Sequence, residues 1–190
     1  MKKRYAALIF CAIGLLLGSV TSEAKKKPSV TAESAIVMDV QSGAILYEKN
    51  IDKREYPASI TKVMTALVAI ENSSLSETVT YSRNAVTNLE SGASNIEIQP
   101  GEKLSMEDSL YAILLMSANE ACNGVAEHVA GSIDNFVAMM NQKAKELGCT
   151  GTHFANANGL WMSNHYTTAH DMALISQEAD RKSTRLNSSH

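Results

Sequence analysis

Two short patterns in this 190-residue chain place a serine near side chains that can activate it. Residues 59–62 have the pattern S-x-x-K, which puts Lys62 one helical turn from Ser59 on the same face. A neutral lysine amine can take the proton of a serine hydroxyl as that oxygen attacks a carbonyl carbon. Residues 117–119 have the pattern S-x-N, whose hydroxyl and amide can bridge to the lysine and hold a substrate amide. If the patterns meet in the fold, Ser59, Lys62, Ser117 and Asn119 can form a site for acyl transfer.

Each pattern occurs twice, and its setting separates the two copies. S-x-x-K also occurs at residues 22–25 and S-x-N at residues 82–84. Ser59 follows Pro57 at the start of a long apolar segment, where the free N–H groups and dipole of a helix N-terminus favour an oxyanion. Residues 117–119 follow an apolar helix that supports them. Taken alone, each pattern also fits a polar helix cap, followed in the first case by a solvent-exposed lysine.

The proposed base requires a lowered lysine pKa. The reference value of about 10.4 must fall by roughly 3 units for a role near neutral pH, which costs on the order of 4 kcal/mol. Water exclusion by the apolar helix and the positive end of its dipole both act in that direction. We therefore expect Lys62 to be buried with a lowered pKa.

The surrounding elements are predicted from periodicity and capping residues. Two β-prone runs joined by a turn at Ser42-Gly43 predict a hairpin, and residues 60–70 predict a central helix without a wet face. Residues 77–81 and 96–98 are brief extended pieces. Ser105 is expected to cap a helix with Met106, Leu110, Ile113 and Leu114 on one face. Further helices are expected at residues 119–130 and from Ile133 to a stop at Gly148. A last helix is expected after a cap formed by Thr168 to Asp171.

The chain ends point to export and to an incomplete domain. Residues 1–24 have the charged start, short apolar run and small residues of a secretory signal peptide, and residues 25–31 form a polar leader. A retained membrane helix is the alternative, but the run is short of the roughly 20 residues that cross a bilayer. Residues 180–190 resemble a translated sequencing adapter, so a partial domain is expected over 32–179; a genuine polar tail is the alternative.

Composition and the remaining polar residues exclude other classes. Seventeen basic and twenty acidic residues give a net charge of −3, which provides no basic surface for nucleic acid. The histidines form no metal-binding pattern, so no metal and no other cofactor is expected. Cys122 and Cys149 are expected to be buried free thiols, with a disulfide between them as the alternative. Met64, Met106 and Met140 fit core positions.

Beyond the two patterns, the chain resembles the serine D-alanyl-D-alanine carboxypeptidases, low-molecular-mass penicillin-binding proteins of the peptidase S11 family. S-x-x-K followed by S-x-N is a known combination of serine penicillin-recognising enzymes. The resemblance runs from about residue 32 to residue 179 and is carried by segments 39–47, 56–65, 100–104, 126–128, 143–148, 152–154, 158–160 and 165–169.

The resemblance implies an α+β fold of the β-lactamase/penicillin-binding transpeptidase type, an antiparallel sheet with a helical cluster, truncated before its C-terminal strands. It implies Ser59 as the acylated nucleophile, Lys62 as the base, Ser117 as a proton relay and Asn119 as a substrate-binding residue. The expected substrate is a peptidoglycan stem peptide ending in D-Ala-D-Ala, with β-lactam antibiotics as inhibitors. The expected location is the cell envelope outside the cytoplasm, and membrane association through a further C-terminal segment stays open.

Two departures from the family pattern bear on these expectations. Ala118 stands where these carboxypeptidases commonly have glycine, a small change that should leave the geometry usable. No Lys-Thr-Gly, the motif that docks the substrate carboxylate in the family, occurs in the 190 residues, so this chain by itself is expected to be inactive. The alternatives are a serine β-lactamase of the same fold, whose E-x-x-x-N loop is absent here, a non-catalytic cell-wall binding protein, and an endopeptidase.

Overall fold

The structure, a computed structural model, describes residues 28–87, 89–90 and 92–188. The predicted signal peptide at residues 1–24 and the other S-x-x-K copy at residues 22–25 lie outside these ranges. A compact unit begins at Ala32. None of the helices described is long and apolar enough to cross a membrane.

Two small antiparallel sheets form the β part of the unit. The predicted hairpin is confirmed: β1 (Ala35–Met38) pairs with β2 (Ile45–Lys49) through a turn with Gly43 at φ +72°. The second sheet pairs β3 (Thr78–Thr80) with β4 (Lys103–Ser105). Residues 96–98 form no strand. Strand β4 was not predicted, because its partner lies more than twenty residues away in the chain and alternation over three residues carries little signal.

The described residues also form six helices and one 3₁₀ turn. The turn at Ala58–Ile60, here named the Ser59 turn, leads directly into α1. The helices are α1 (Thr61–Asn72), α2 (Arg83–Thr87), α3 (Met106–Leu115), α4 (Asn119–Ala130), α5 (Ile133–Glu146) and α6 (Ala169–Ser188).

Helix α1 lies at the centre of the helical cluster, as its apolar composition predicted. It contacts α3, α4, α5 and α6, and residues 64–69 are buried. The three methionines assigned to the core, Met64, Met106 and Met140, are fully buried. Because neighbours surround α1 on several sides, its first turn, which carries Lys62 and follows the Ser59 turn directly, is held firmly.

The predicted helix caps at Ser105 and Thr168 and the predicted helix stop at Gly148 are confirmed. Ser105 Oγ accepts from the Asp108 N–H at 3.0 Å at the start of α3, and Thr168 Oγ1 accepts from the Asp171 N–H at 3.1 Å in α6. Gly148 follows α5 at φ +79°. One assignment was wrong: Leu114 is 53 % exposed, whereas Met106, Leu110 and Ile113 are buried. At about 100° per residue, Leu114 lies roughly 80° around α3 from Met106, at the edge of the apolar face.

Candidate active site

The Ser59 hydroxyl lies at the surface against the hydroxyl of Ser117. Ser117 Oγ donates to Ser59 Oγ at 3.1 Å, which joins two residues 58 positions apart in the chain. Both hydroxyls stand on strained backbone: Ala58, just before Ser59, has φ +47°, and Ser117 has φ +55°. Such conformations cost a non-glycine residue about 1–3 kcal/mol and persist only where surrounding contacts impose them.

The amine of Lys62, three residues after Ser59, is buried. It donates to Asn119 Oδ1 at 2.9 Å and to the Asn158 carbonyl oxygen at 2.6 Å, and the residue is 3 % exposed. A neutral amine has two N–H groups and one lone pair. Two acceptors therefore satisfy both donors and leave the lone pair free to receive a proton.

Burial lowers the pKa of the Lys62 amine below its usual 10.5, as expected from the sequence. An ionised Cys122 nearby would raise that pKa, but burial raises the pKa of the Cys122 thiol itself to about 12. The thiol is therefore neutral in the physiological range, and desolvation decides the direction.

Two local details differ from the sequence interpretation. Within the described residues Lys62 has no hydrogen bond to Ser59, whose side-chain partner is Ser117. The N–H groups of Ile60 and Thr61 are also not free for an oxyanion, because they bond to the Pro57 and Ala58 carbonyl oxygens within the 3₁₀ turn.

Asn119 joins the lysine to a neighbouring loop. Its Nδ2 and backbone N–H both donate to the Ser94 carbonyl oxygen, while its Oδ1 accepts from Lys62. The next residue, Glu120, was not identified from the sequence; it is 1 % exposed and its Oε1 accepts from the Ile96 N–H at 2.6 Å. The other oxygen, Oε2, has no partner among the residues that the structure describes. These bonds fasten the 94–96 segment to the start of α4.

The structure separates the two S-x-N copies. Residues 117–119 reach Ser59 and Lys62, whereas Asn84 in the other copy lies at the surface and donates to Glu127 Oε1. Ala118, the N-cap of α4, is fully buried, so a small side chain suits this position.

The loop at residues 156–160 completes the site and was assigned no role from sequence. Thr65 Oγ1 donates to the Ala157 carbonyl oxygen at 2.6 Å, next to the lysine contact of Asn158. Gly159, at φ +87°, packs so closely that an added Cβ would lie 1.9 Å from the Ala58 carbonyl oxygen. The asparagine-rich sequence with its glycine was the available signal, but a backbone carbonyl ligand is not encoded by side-chain identity.

His165 is a second buried group that sequence analysis set aside. Its Nδ1 accepts from the Ala155 N–H at 3.1 Å, and its Nε2 lies 2.8 Å from Thr61 Oγ1. A backbone N–H can only donate, so the ring proton of the neutral form is on Nε2 and points to Thr61. Burial, and to a lesser extent the field of His153, lowers the pKa of His165 to about 4.

This pKa predicts acid destabilisation between about pH 6.5 and pH 4. Unfolded His165 takes up a proton near pH 6.5, whereas the folded form resists until about pH 4. Its contribution to stability is therefore complete above pH 6.5 and is lost as the pH falls. By pH 4 the loss in the free energy of unfolding is about 3 kcal/mol. Urea unfolding of wild type and His165→Gln at several pH values measures it. The two stabilities should converge towards low pH, and parallel curves would contradict the assignment.

The described residues hold no group of three or more His, Cys, Asp or Glu side chains arranged to bind a metal ion. Cys122 and Cys149 are both buried and free, as predicted. The site thus consists of two hydroxyls, a buried amine and amide oxygens. That set can transfer a proton and form an ester at Ser59.

Comparison with known proteins extends the likeness over most of this chain. A sequence family described as D-alanyl-D-alanine carboxypeptidase, peptidase S11, matches residues 21–189. The chain belongs to this family. The D-alanyl-D-alanine carboxypeptidase DacF of Bacillus subtilis is 36 % identical over 187 residues, a match covering 93 % of this chain and 47 % of the relative. DacA of Escherichia coli is 39 % identical over 158 residues, covering 79 % of this chain and 39 % of the relative.

Solved structures confirm the transpeptidase-like fold of this S11 chain. The D-alanyl-D-alanine carboxypeptidase DacD of Francisella tularensis superposes with a TM-score of 0.78 at 34 % identity, covering 87 % of this chain and 40 % of that one. Penicillin binding protein 5 of Haemophilus influenzae superposes with a TM-score of 0.77 at 34 % identity, covering 82 % of this chain and 47 % of that one. The chain spans about half the length of the curated relatives it matches.

Proposed function

We propose that the full-length protein is a serine D-alanyl-D-alanine carboxypeptidase that removes the terminal D-alanine of peptidoglycan stem peptides. The observation that carries the proposal is that residues 59–62 and 117–119 meet through two contacts, Ser59 with Ser117 and Lys62 with Asn119, in an S11 family member. The names of its relatives support the substrate class.

In the proposed reaction Ser117 relays a proton between Ser59 and Lys62. Hydroxyl groups rotate, so the observed bond from Ser117 to Ser59 can reverse, letting Ser59 donate to Ser117 as Ser117 donates to the free lone pair of Lys62. Ser59 Oγ attacks the carbonyl carbon between the terminal D-alanines, and the amine of D-alanine leaves with the proton. Water then cleaves the acyl-ester. A β-lactam would acylate the same oxygen.

The direct test is covalent labelling of the full-length protein with a fluorescent penicillin, followed by mass spectrometry of the digested adduct. We expect the label on the peptide containing Ser59 and not on that containing Ser117. A label elsewhere, or none, would refute the assignment.

Product analysis separates the alternatives. Release of D-alanine from a pentapeptide supports the carboxypeptidase, rapid turnover of the penicillin supports a β-lactamase, and cleavage of cross-linked dimers supports an endopeptidase. Reversible binding without any ester identifies a non-catalytic binding protein. These outcomes are distinguishable in one set of chromatograms.

We also propose export through cleavage after Ala24, supported by the charged start and short apolar run of residues 1–24. In a bacterial host, the exported protein should begin at Lys25. Placing a charge in the apolar run, by Leu15→Arg, should keep the precursor inside; an unprocessed protein outside the cytoplasm would contradict the proposal.

The boundary near residue 179 remains a proposal too. Helix α6 continues to Ser188, and Lys182 pairs with Glu71 at 2.7 Å. Arg181, Lys182 and Leu186 are good helix formers, so this extension of α6 does not depend on the origin of the segment. Sequencing the genomic gene past codon 179 tests it. The native sequence should differ from residues 180–190 and contain Lys-Thr-Gly; a stop codon after residue 190 would contradict the proposal.

A further inference from the structure

His165 connects the start of α1 to the segment that precedes the 156–160 loop. Its Nε2–H points to Thr61 Oγ1 in the first residue of α1, between Ser59 and Lys62 in sequence. Its Nδ1 accepts a hydrogen bond from the N–H of Ala155, which lies just before the 156–160 loop whose Asn158 carbonyl oxygen binds the Lys62 amine. The ring is 2 % exposed and has Phe154 edge-on at 5.7 Å, so its position is fully determined by packing.

The same junction supports the strained Ser59 turn. A Cβ on Gly159 would come within 3.0 Å of Thr61 Oγ1 as well as meeting Ala58, so the hydroxyl that His165 holds is packed against both the glycine and the turn. Ala58, at φ +47°, needs such support, because an L-residue leaves this conformation when contacts around it loosen.

We propose that His165 is a positioning residue for acylation, which acts through Thr61 to hold the Ser59 turn where the Ser59 hydroxyl meets Ser117. The inference deepens the proposed function and rests on it. His165 touches neither reacting hydroxyl; it holds the segment that carries one of them. Displacement of a reacting group by about 1 Å can cost on the order of 100-fold in rate, so losing this bond should slow acylation more than it weakens β-lactam binding.

The test starts from two substitutions of His165, each of which retains one of its two hydrogen bonds, to Thr61 or to Ala155. The amide of Gln reaches the place of Nε2 and can donate to Thr61, whereas the shorter Asn reaches only the place of Nδ1 and can accept from Ala155. In the full-length protein we expect His165→Asn and Thr61→Val each to lower the acylation rate constant for penicillin about 10- to 100-fold, with the dissociation constant changed less than about 3-fold. His165→Gln and Thr61→Ser should stay within about 5-fold of wild type. Because one bond is involved, the double variant His165→Asn/Thr61→Val should be no slower than either single variant.

Wild-type acylation in a folded His165→Asn protein overturns the proposal, and so does a His165→Gln protein as slow as His165→Asn. Multiplied effects in the double variant also overturn it. If His165→Asn does not fold, Thr61→Val removes the same bond from the other side, and wild-type acylation in that variant is equally decisive. Failure of wild type itself to be acylated would instead refute the proposed function.

Discussion

Replacing Lys62 by Met is expected to slow acylation of Ser59 in the full-length protein by about 10³-fold, within the range attributed to general bases. The amine is buried, its pKa is lowered by desolvation, and its two N–H groups are taken by Asn119 and Asn158. Methionine has a similar length but cannot accept a proton. The rate of reaction with fluorescent penicillin measures the effect, and Lys145→Met, at an exposed lysine of α5, is the control that should react as wild type.

Lys62→Arg distinguishes a base from a positive charge. A guanidinium stays protonated, so it should be as slow as Met if Lys62 acts as the base. The acylation rate of wild type should rise with pH through a pKa below 10.5, since deprotonation creates the active amine. An arginine variant that keeps most of the rate would contradict the base assignment.

Gly159→Ala is expected to damage both folding and the site. The new Cβ would lie 1.9 Å from the carbonyl oxygen and 2.5 Å from the carbonyl carbon of Ala58, and backbone atoms cannot move aside as a side chain can. We expect a loss of about 3 kcal/mol in the free energy of unfolding, and acylation slowed on the order of 100-fold because the Ser59 turn is displaced. Urea unfolding and penicillin labelling measure the two effects.

Gly131→Ala is a matched control. Gly131 ends α4 at φ +76°, close to the +87° of Gly159, but a Cβ there meets no atom within 4 Å. Backbone strain alone should cost about 1 kcal/mol and leave acylation unchanged. Equal losses in the two variants would show that the left-handed conformation, and not contact with Ala58, makes Gly159 necessary.

Local elements of the fold follow from the sequence because their causes are local. Ser105 caps α3 and Gly148 follows α5, since both signals act within one turn of the chain. The central place of α1 follows from apolar residues on all its faces, which only a surrounded helix can bury. Leu114 was misplaced because periodicity alone does not show how wide the buried face of α3 is.

By itself the sequence determined the family and the main helices and hairpin, and it predicted the four polar residues of the candidate site. S-x-x-K sets the Ser59–Lys62 spacing within one helical turn, and S-x-N pointed to Ser117 and Asn119. Only the tertiary structure brought Ser117 to Ser59 and placed the Asn158 carbonyl on Lys62. It also placed His165 against Thr61 and gave Ala58 its left-handed conformation. Those features depend on contacts between distant segments and on backbone atoms, which every residue shares. No local pattern of side chains can therefore specify them.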